Sequence, residues 1–380
     1  MTQMLNNRYC PGCGAKLQVD DPNGSGYIPP NALARAVEKQ HHSVYCSRCF
    51  KLRHYNEISP ASLTDDDFLE LLNDVAASDA LVIYVLDALD LYGSTINGLQ
   101  RFVGKNPVLV TVNKIDLLPK SFNSRKLKNY IKKRVKEQGI NAVDVAFVSA
   151  SKNRGIDELM ASIENARKGR DVYVVGVANV GKSTIINGIL GAVGEDKKRI
   201  TTSYYPGTTL GRIAIPLDDG ASIIDTPGII QKHQLSSFLD PSDLKYIMPK
   251  KELRPITYQL NKGQTLFIGG VARLDYEGPK RGSVTCYLPN QLLIHRTRTS
   301  RADAFYQKHV GGILQPPKKS EPLPLKQHTY TVKEASDVVY SGLGWITINQ
   351  PSQISAWAVA KNDIIIRPAL FGQDQGVKSE

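Results

Sequence analysis

The chain has 380 residues, 41% of them hydrophobic and 22% charged, with 48 Lys or Arg against 36 Asp or Glu for a net charge of +12 at neutral pH. That length gives room for two or three domains, and the composition is that of a globular protein rather than a disordered or fibrous one. With no signal segment and no apolar run long enough to span a membrane, a reduced, cytoplasmic protein is expected, and its basic balance points to polyanionic partners.

Four of the five cysteines form Cys10-Pro11-Gly12-Cys13 and Cys46-Ser47-Arg48-Cys49. Two C-x2-C pairs set four thiolates at the spacing that tetrahedral Zn2+ takes. The stretch between them exceeds the commonest spacing, which implies an inserted loop around Pro29 and Pro30. Four thiolates close a structural site, so His41, His42 and His54 read as surface or RNA-facing groups. A disulfide framework is the rival reading, and it fits an oxidising compartment better than the one expected here. Residues 1 to 58 are therefore expected to form a zinc module whose small core the metal supplements.

From residue 59 to 235 the pattern changes. Thr64 with Asp67 three residues on caps a helix over Asp65 to Ala76. Short apolar runs then alternate with amphipathic stretches: Leu81 to Leu86, Val108 to Val112, Val145 to Val148, Val172 to Val175 and Ser222 to Ile224. This predicts a doubly wound, mostly parallel sheet covered on both faces, with ligand at the carboxyl ends of the strands. Asn113-Lys114-Ile115-Asp116 follows the second run. Asp116 can accept from the N1-H and exocyclic amine of guanine, two donors that adenine lacks, and a buried carboxylate left unpaired rejects the wrong base. A basic helix is expected over Arg125 to Lys136, and Ser149-Ala150 would complete the base pocket with a backbone N-H.

Gly176-Val177-Ala178-Asn179-Val180-Gly181-Lys182-Ser183 fits the phosphate-loop pattern G-x-x-x-x-G-K-[ST] between a strand-like run and the helix-like Thr184 to Leu190. Its glycines let N-H groups turn toward phosphate oxygens, Lys182 reaches the terminal phosphates, and the Ser183 hydroxyl can ligate Mg2+. Pro206-Gly207-Thr208-Thr209 lies where a loop would bring a threonine hydroxyl to that metal, Thr209 being preferred to Thr208. Asp225-Thr226-Pro227-Gly228 ends the next apolar run, with a carboxylate for Mg2+ and a glycine N-H for the γ-phosphate. Where a Ras-like enzyme holds its water-orienting glutamine, this chain has Ile229, and Gln231 is the nearest substitute.

The remainder, residues 236 to 380, reads as a β-rich domain. Alternation marks Thr265 to Ile268, Ser283 to Leu288, Leu292 to His295, Thr329 to Val332, Trp345 to Ile348 and Ala356 to Val359, with turns at Gly269-Gly270 and Pro289-Asn290. A helix is expected near Arg301 to Val310 and a loop over Pro316 to Pro324, and Cys286 reads as a small buried side chain. Residues 245 to 367 hold 18 Lys or Arg against 8 Asp or Glu, a difference of +10 out of +12 for the chain. Tyrosines interleave the basic clusters, the footprint of a nucleic-acid surface, though solvated positive faces also look like this.

The base reader precedes the phosphate loop, the reverse of the usual order. In this the chain resembles the circularly permuted GTPases, and over nearly its full length it resembles the YqeH family. The resemblance implies a zinc-binding segment, a permuted G domain and a C-terminal domain, with GTP and GDP as ligands. It also implies a role in assembly of the small (30S) ribosomal subunit, with precursor rRNA or ribosomal proteins as partners and no membrane. Asn179 matches a loop asparagine associated with K+ in GTPases that carry a hydrophobic residue after the D-x-x-G glycine, so slow hydrolysis stimulated by K+ or a partner is implied. Because Gly228 closes the G domain in sequence, γ-phosphate is expected to act on the last domain through Ile229 onward. A GTP-gated adaptor acting on proteins is the alternative, and the oligomeric state is left open.

Overall fold

The computed structural model describes residues 16–22, 26–33, 44, 46–47, 73–192, 213–226, 228, 235–278, 281–319, 321–359 and 364–371. The chain divides into two compact units, one of residues 1–85, 96–111 and 135–229, the other of residues 86–95, 112–134 and 230–380.

The first unit is built on a six-stranded sheet of β1 (Ala80–Asp87), β2 (Val108–Asn113), β3 (Ala142–Phe147), β4 (Asp171–Val175), β5 (Ile213–Pro216) and β6 (Ser222–Asp225), in the order β3-β2-β1-β4-β6-β5. β4 pairs parallel with β1 and with β6, and β5 returns antiparallel to β6. Every residue of β2, all but the last of β1 and all but the first of β4 are buried, the signature of strands covered on both faces. The first unit's helices are α1 (Leu99–Val103), α3 (Ile156–Arg167) and α4 (Lys182–Ala192), while α2 (Ser124–Glu137) falls for the most part in the second unit. α3 buries Ile156, Leu159 and Ile163, one stripe at helical spacing. The five expected strands are present, and β5 is an addition: four residues ending in proline give alternation nothing to act on.

The C-terminal part of the second unit holds α5 (Leu244–Ile247), α6 (Ala302–His309) and ten strands: β7 (Ile256–Leu260), β8 (Gln264–Ile268), β9 (Ala272–Tyr276), β10 (Gly282–Tyr287), β11 (Ile294–Arg298), β12 (Leu325–Val332), β13 (Ser336–Tyr340), β14 (Gly344–Ile348), β15 (Ser352–Val359) and β16 (Ile364–Pro368). They form two antiparallel five-stranded sheets, ordered β16-β13-β14-β10-β7 and β11-β8-β9-β15-β12. Val284, Cys286, Val338 and Ile346 of one sheet share a core with Leu266, Leu274, Ile354 and Ala356 of the other, so the sheets pack face to face. Burial pushes the Cys286 thiol up to about 12, which keeps it a protonated core side chain.

Alternation located six of these strands and missed β7, β9, β13 and β16. The reason is visible in β9, whose outward residues are Arg273 and Asp275, both buried. Arg273 Nε donates to Asp275 Oδ1 at 2.7 Å and Trp357 Nε1 to Asp275 Oδ2 at 2.8 Å. In β13, Asp337 is fully buried and accepts from Arg367 Nε at 3.0 Å and Thr347 Oγ1 at 2.6 Å. A charge satisfied across strands is indistinguishable in sequence from a charge on a loop. β11 runs Ile294–Arg298, two to three residues beyond the expected Leu292 to His295, because its basic residues sit on an edge strand, where charge is tolerated.

Candidate functional site

The residues expected to take phosphate lie in the first unit. Val175 ends β4, Gly176 begins the loop, and Lys182 opens α4. A Cβ on Gly176 would stand 2.8 Å from the Val85 carbonyl oxygen, so the loop can leave the sheet here only with glycine. Asn179 takes φ +65 and Gly181 φ +93, turning the backbone back toward the helix. Ile185 N-H donates to Gly181 O at 3.0 Å, which ties the end of the loop to the first turn of α4, and a helix start of this kind leaves backbone N-H groups that suit an anion.

Lys182 is buried, its ammonium donating to the carbonyls of Gly176 (3.0 Å) and Val177 (3.2 Å). Burial pushes the group down to about 8, against the pull of Asp225. Asp225 ends β6, and Ser183 Oγ donates to its Oδ2 at 2.9 Å. Its carboxyl is raised, chiefly by burial, with Lys182 and Ser183 opposing. Asp225 Oδ1 is buried with no hydrogen-bond partner among the described residues. A hydroxyl and a carboxylate with one unsatisfied oxygen make a donor set of the hard, oxygen-only kind that Mg2+ takes. A Cβ on Gly228 would stand 2.8 Å from Ala178 Cα and 2.9 Å from Lys182 Nζ, so the glycine of Asp225 to Gly228 lies directly on the phosphate loop.

Ser149 follows β3 and is fully buried, exchanging backbone bonds with Arg154: Ser149 N-H to Arg154 O at 2.9 Å and Arg154 N-H to Ser149 O at 3.1 Å. These close a tight loop whose 3-10 turn begins at Ala150, and Thr184 continues α4.

The residues expected to read the base, Asn113 to Asp116, lie in the second unit. Asn113 ends β2 and is buried, Lys114 takes φ +65, and a 3-10 turn over Ile115–Leu117 carries Asp116, half-buried, in its first turn. Two neighbours hold this loop that its own motif does not announce. Lys114 Nζ pairs with Asp87 Oδ2 at 2.6 Å, at the end of β1. Leu253 N-H donates to Leu117 O at 2.9 Å, and Lys120 N-H to Glu252 Oε1 at 3.0 Å, so the segment leading into β7 fastens the loop. The turn after β1 is held in the same way: Asp90 Oδ2 accepts from Gly342 N-H at 2.7 Å, between β13 and β14. Burial raises the Asp90 carboxyl to about 6, with Asp87 adding to it and the N-H groups of Gly93 and Gly342 opposing. Asp87 could have been marked from sequence as an acid closing an apolar run, whereas no local pattern points to Asp90, Glu252 or Leu253.

Of the expected metal residues, Cys46 is buried, and Cys10, Cys13, Cys49 and Thr209 lie outside the described residues, as do Thr208, Ile229, Gln231, the three N-terminal histidines and the Thr64 cap. Among the described residues no cluster of three or more His, Cys, Asp or Glu side chains is spaced for a metal ion. Among them, too, no helix is long and apolar enough to cross a membrane.

Residues 171–263 match the family model described as 50S ribosome-binding GTPase, and residues 281–370 the model YqeH-like, C-terminal. YqeH of Bacillus subtilis, described as uncharacterized, is 48% identical over 95% of this chain and 99% of its own length. The chain belongs to the YqeH family. NO-associated protein 1 of Arabidopsis thaliana, chloroplastic/mitochondrial, is 30% identical over 89% of this chain and 69% of that protein. GDP-bound TM YlqF is 24% identical over 44% of this chain and 58% of that one, with a TM-score of 0.28, too slight a likeness to argue from. This YqeH-family chain is a GTPase, with an α/β P-loop domain and a β-rich C-terminal region.

Proposed function

We propose that this GTPase acts in assembly of the small (30S) ribosomal subunit, binding the subunit or its precursor RNA in one nucleotide state and leaving in the other. The observation that carries the reading is the fastening of the base-reading loop. Asn113 to Asp116 belongs to the same compact unit as the C-terminal third, where the charge difference is +10. The turn that continues that loop is hydrogen-bonded to Leu253, and the neighbouring turn after β1 is hydrogen-bonded to Gly342. In this reading Asp116 selects guanine, with Ser149 and Ala150 beside the base, and the loop from Gly176 to Thr184 takes the phosphates, Val180 and Gly181 included.

Lys182 donates its charge to the terminal phosphates instead of to its own loop carbonyls. Ser183 and Asp225, joined by Thr209, would hold Mg2+, which would supply positive charge beside the phosphate oxygens. Gly228 offers its N-H to the γ-phosphate, so loss of that phosphate releases the chain that follows it. Asn179 lies at the turn where K+ would assist, and hydrolysis by the isolated chain is slow because Ile229 cannot orient water. Cys10, Cys13, Cys46 and Cys49 hold Zn2+, and residues 1–58, 59–235 and 236–380 are the zinc module, permuted G domain and RNA-facing domain of a cytoplasmic factor.

The test is sedimentation of the purified chain with isolated small ribosomal subunits, without nucleotide, with GDP and with a nonhydrolysable GTP analogue, at two salt concentrations. Tighter, salt-sensitive binding with the analogue is expected. Equal binding in all three states, or none, overturns the gating. Replacing KCl by NaCl is expected to slow hydrolysis, and an unchanged rate removes K+ from the account.

A further inference from the structure

The outer face of the sheet ordered β11-β8-β9-β15-β12 carries a ladder of rings that the nucleotide site does not use. His295 of β11 stacks on Phe305 of α6 at 4.4 Å between centroids and 8° between planes, and Phe305 meets His309 at 4.3 Å and 36°. Phe305 is supported from below by Phe267 at 6.0 Å. All three ladder rings are half-buried, whereas the helix turns its other stripe, Ala302, Tyr306 and Val310, into a small core. Helical spacing sets Arg301, Phe305, Lys308 and His309 on one face. Arg298, Arg301 and Lys308 are exposed, and no ion pair among the described residues engages them. The helix's one acid, Asp303, is taken by Arg273 Nη1.

We propose that this ladder and its cationic rim bind an unpaired stretch of RNA, with bases stacking on the outward faces of His295 and His309 and phosphates meeting Arg298, Arg301 and Lys308. Every base has a π-face, so a histidine–phenylalanine ladder is a sequence-tolerant platform, and the cations track the backbone. A peptide adding to the β11 edge fits less well. It would have to lie along Arg296 and Arg298, the kind of edge charge that blocks strand addition. The inference deepens the ribosome-assembly reading by naming the surface that touches RNA.

It is tested by fluorescence anisotropy of a labelled single-stranded RNA oligonucleotide with the full chain at several KCl concentrations, comparing wild type with Arg301→Glu/Lys308→Glu and His295→Ala/His309→Ala. GDP affinity serves as the check that each variant folds. The charge-reversed pair is expected to bind about tenfold more weakly and with a shallower salt dependence. The histidine pair is expected to lose about tenfold at an unchanged salt slope, because stacking releases no counterions. RNA affinity equal to wild type in both pairs overturns the surface, whatever happens to subunit binding. Unchanged RNA affinity with loss of subunit binding assigns the face to a ribosomal protein and also overturns it. Failure of nucleotide gating with both RNA effects intact leaves the surface standing and removes only the assembly cycle.

Discussion

The loop expected to take phosphate and the loop expected to read guanine are held by different means. The phosphate half is self-contained: strand, loop and helix follow one another in sequence, and Gly176, Asn179 and Gly181 supply the turn locally. The base half is a short loop that depends on distant chain. Lys114 leans on Asp87, Leu117 and Lys120 are hydrogen-bonded to Leu253 and Glu252, and the neighbouring turn hangs from Gly342 through Asp90. Changes in the phosphate half should therefore act on phosphate chemistry alone, while changes in the C-terminal sandwich should reach guanine recognition.

Lys182→Ala is the most severe test of that division. It removes a charged donor to phosphate and leaves Asp225 buried without its cation. GTP affinity by calorimetry is expected to fall about a thousandfold, on the order of two charge-assisted hydrogen bonds. Retention of wild-type affinity would mean that the loop does not take the phosphates.

Asp90 probes the other half through pH. Its folded-state value of about 6 lies above the ordinary 3.8, so its contribution to stability is full below the unfolded value and is lost as pH rises through 6. Two units correspond to about 3 kcal/mol as an upper bound. The denaturant stability of wild type relative to Asp90→Asn is expected to decline from pH 4 to pH 7. A flat difference would show that the Asp90 carboxyl is not raised in the folded protein.

Gly228→Ala comes next. The added methyl meets Ala178 and Lys182, so hydrolysis is expected to fall at least about tenfold, a displacement effect at the γ-phosphate, with GDP affinity changed much less. Equal losses in both would place the clash in the ground state. The mildest change is Glu252→Ala, which deletes one partly exposed acceptor from Lys120 N-H and should weaken GDP about threefold, leaving pyrophosphate binding as it was.

What was legible in the sequence follows the same division. The places of the phosphate loop, Asp225 to Gly228 and Asn113 to Asp116 at strand ends were legible because each motif spans a few residues and sits at the end of an apolar run. The parallel strands were legible because burial on both faces makes their runs continuous. Asp90 could not be read, since its partner is Gly342, 252 residues away. Nor could β9 and β13: Arg273 is satisfied by Asp275 and by Asp303 of α6, Asp275 also by Trp357 of β15, and Asp337 by Thr347 and Arg367 of neighbouring strands. The ladder of His295, Phe305 and His309 was hidden for the same reason, being assembled from a strand and a helix that only the sheet brings together.

The central claim is that guanine recognition is fastened to the C-terminal sandwich, and backbone hydrogen exchange of the full chain with and without GDP tests it most directly. The account expects GDP to slow exchange in peptides that contain Leu253 and Gly342, although neither residue belongs to a nucleotide motif. Protection confined to Gly176 to Thr184 and Asn113 to Asp116, with Leu253 and Gly342 exchanging at their nucleotide-free rates, would contradict it.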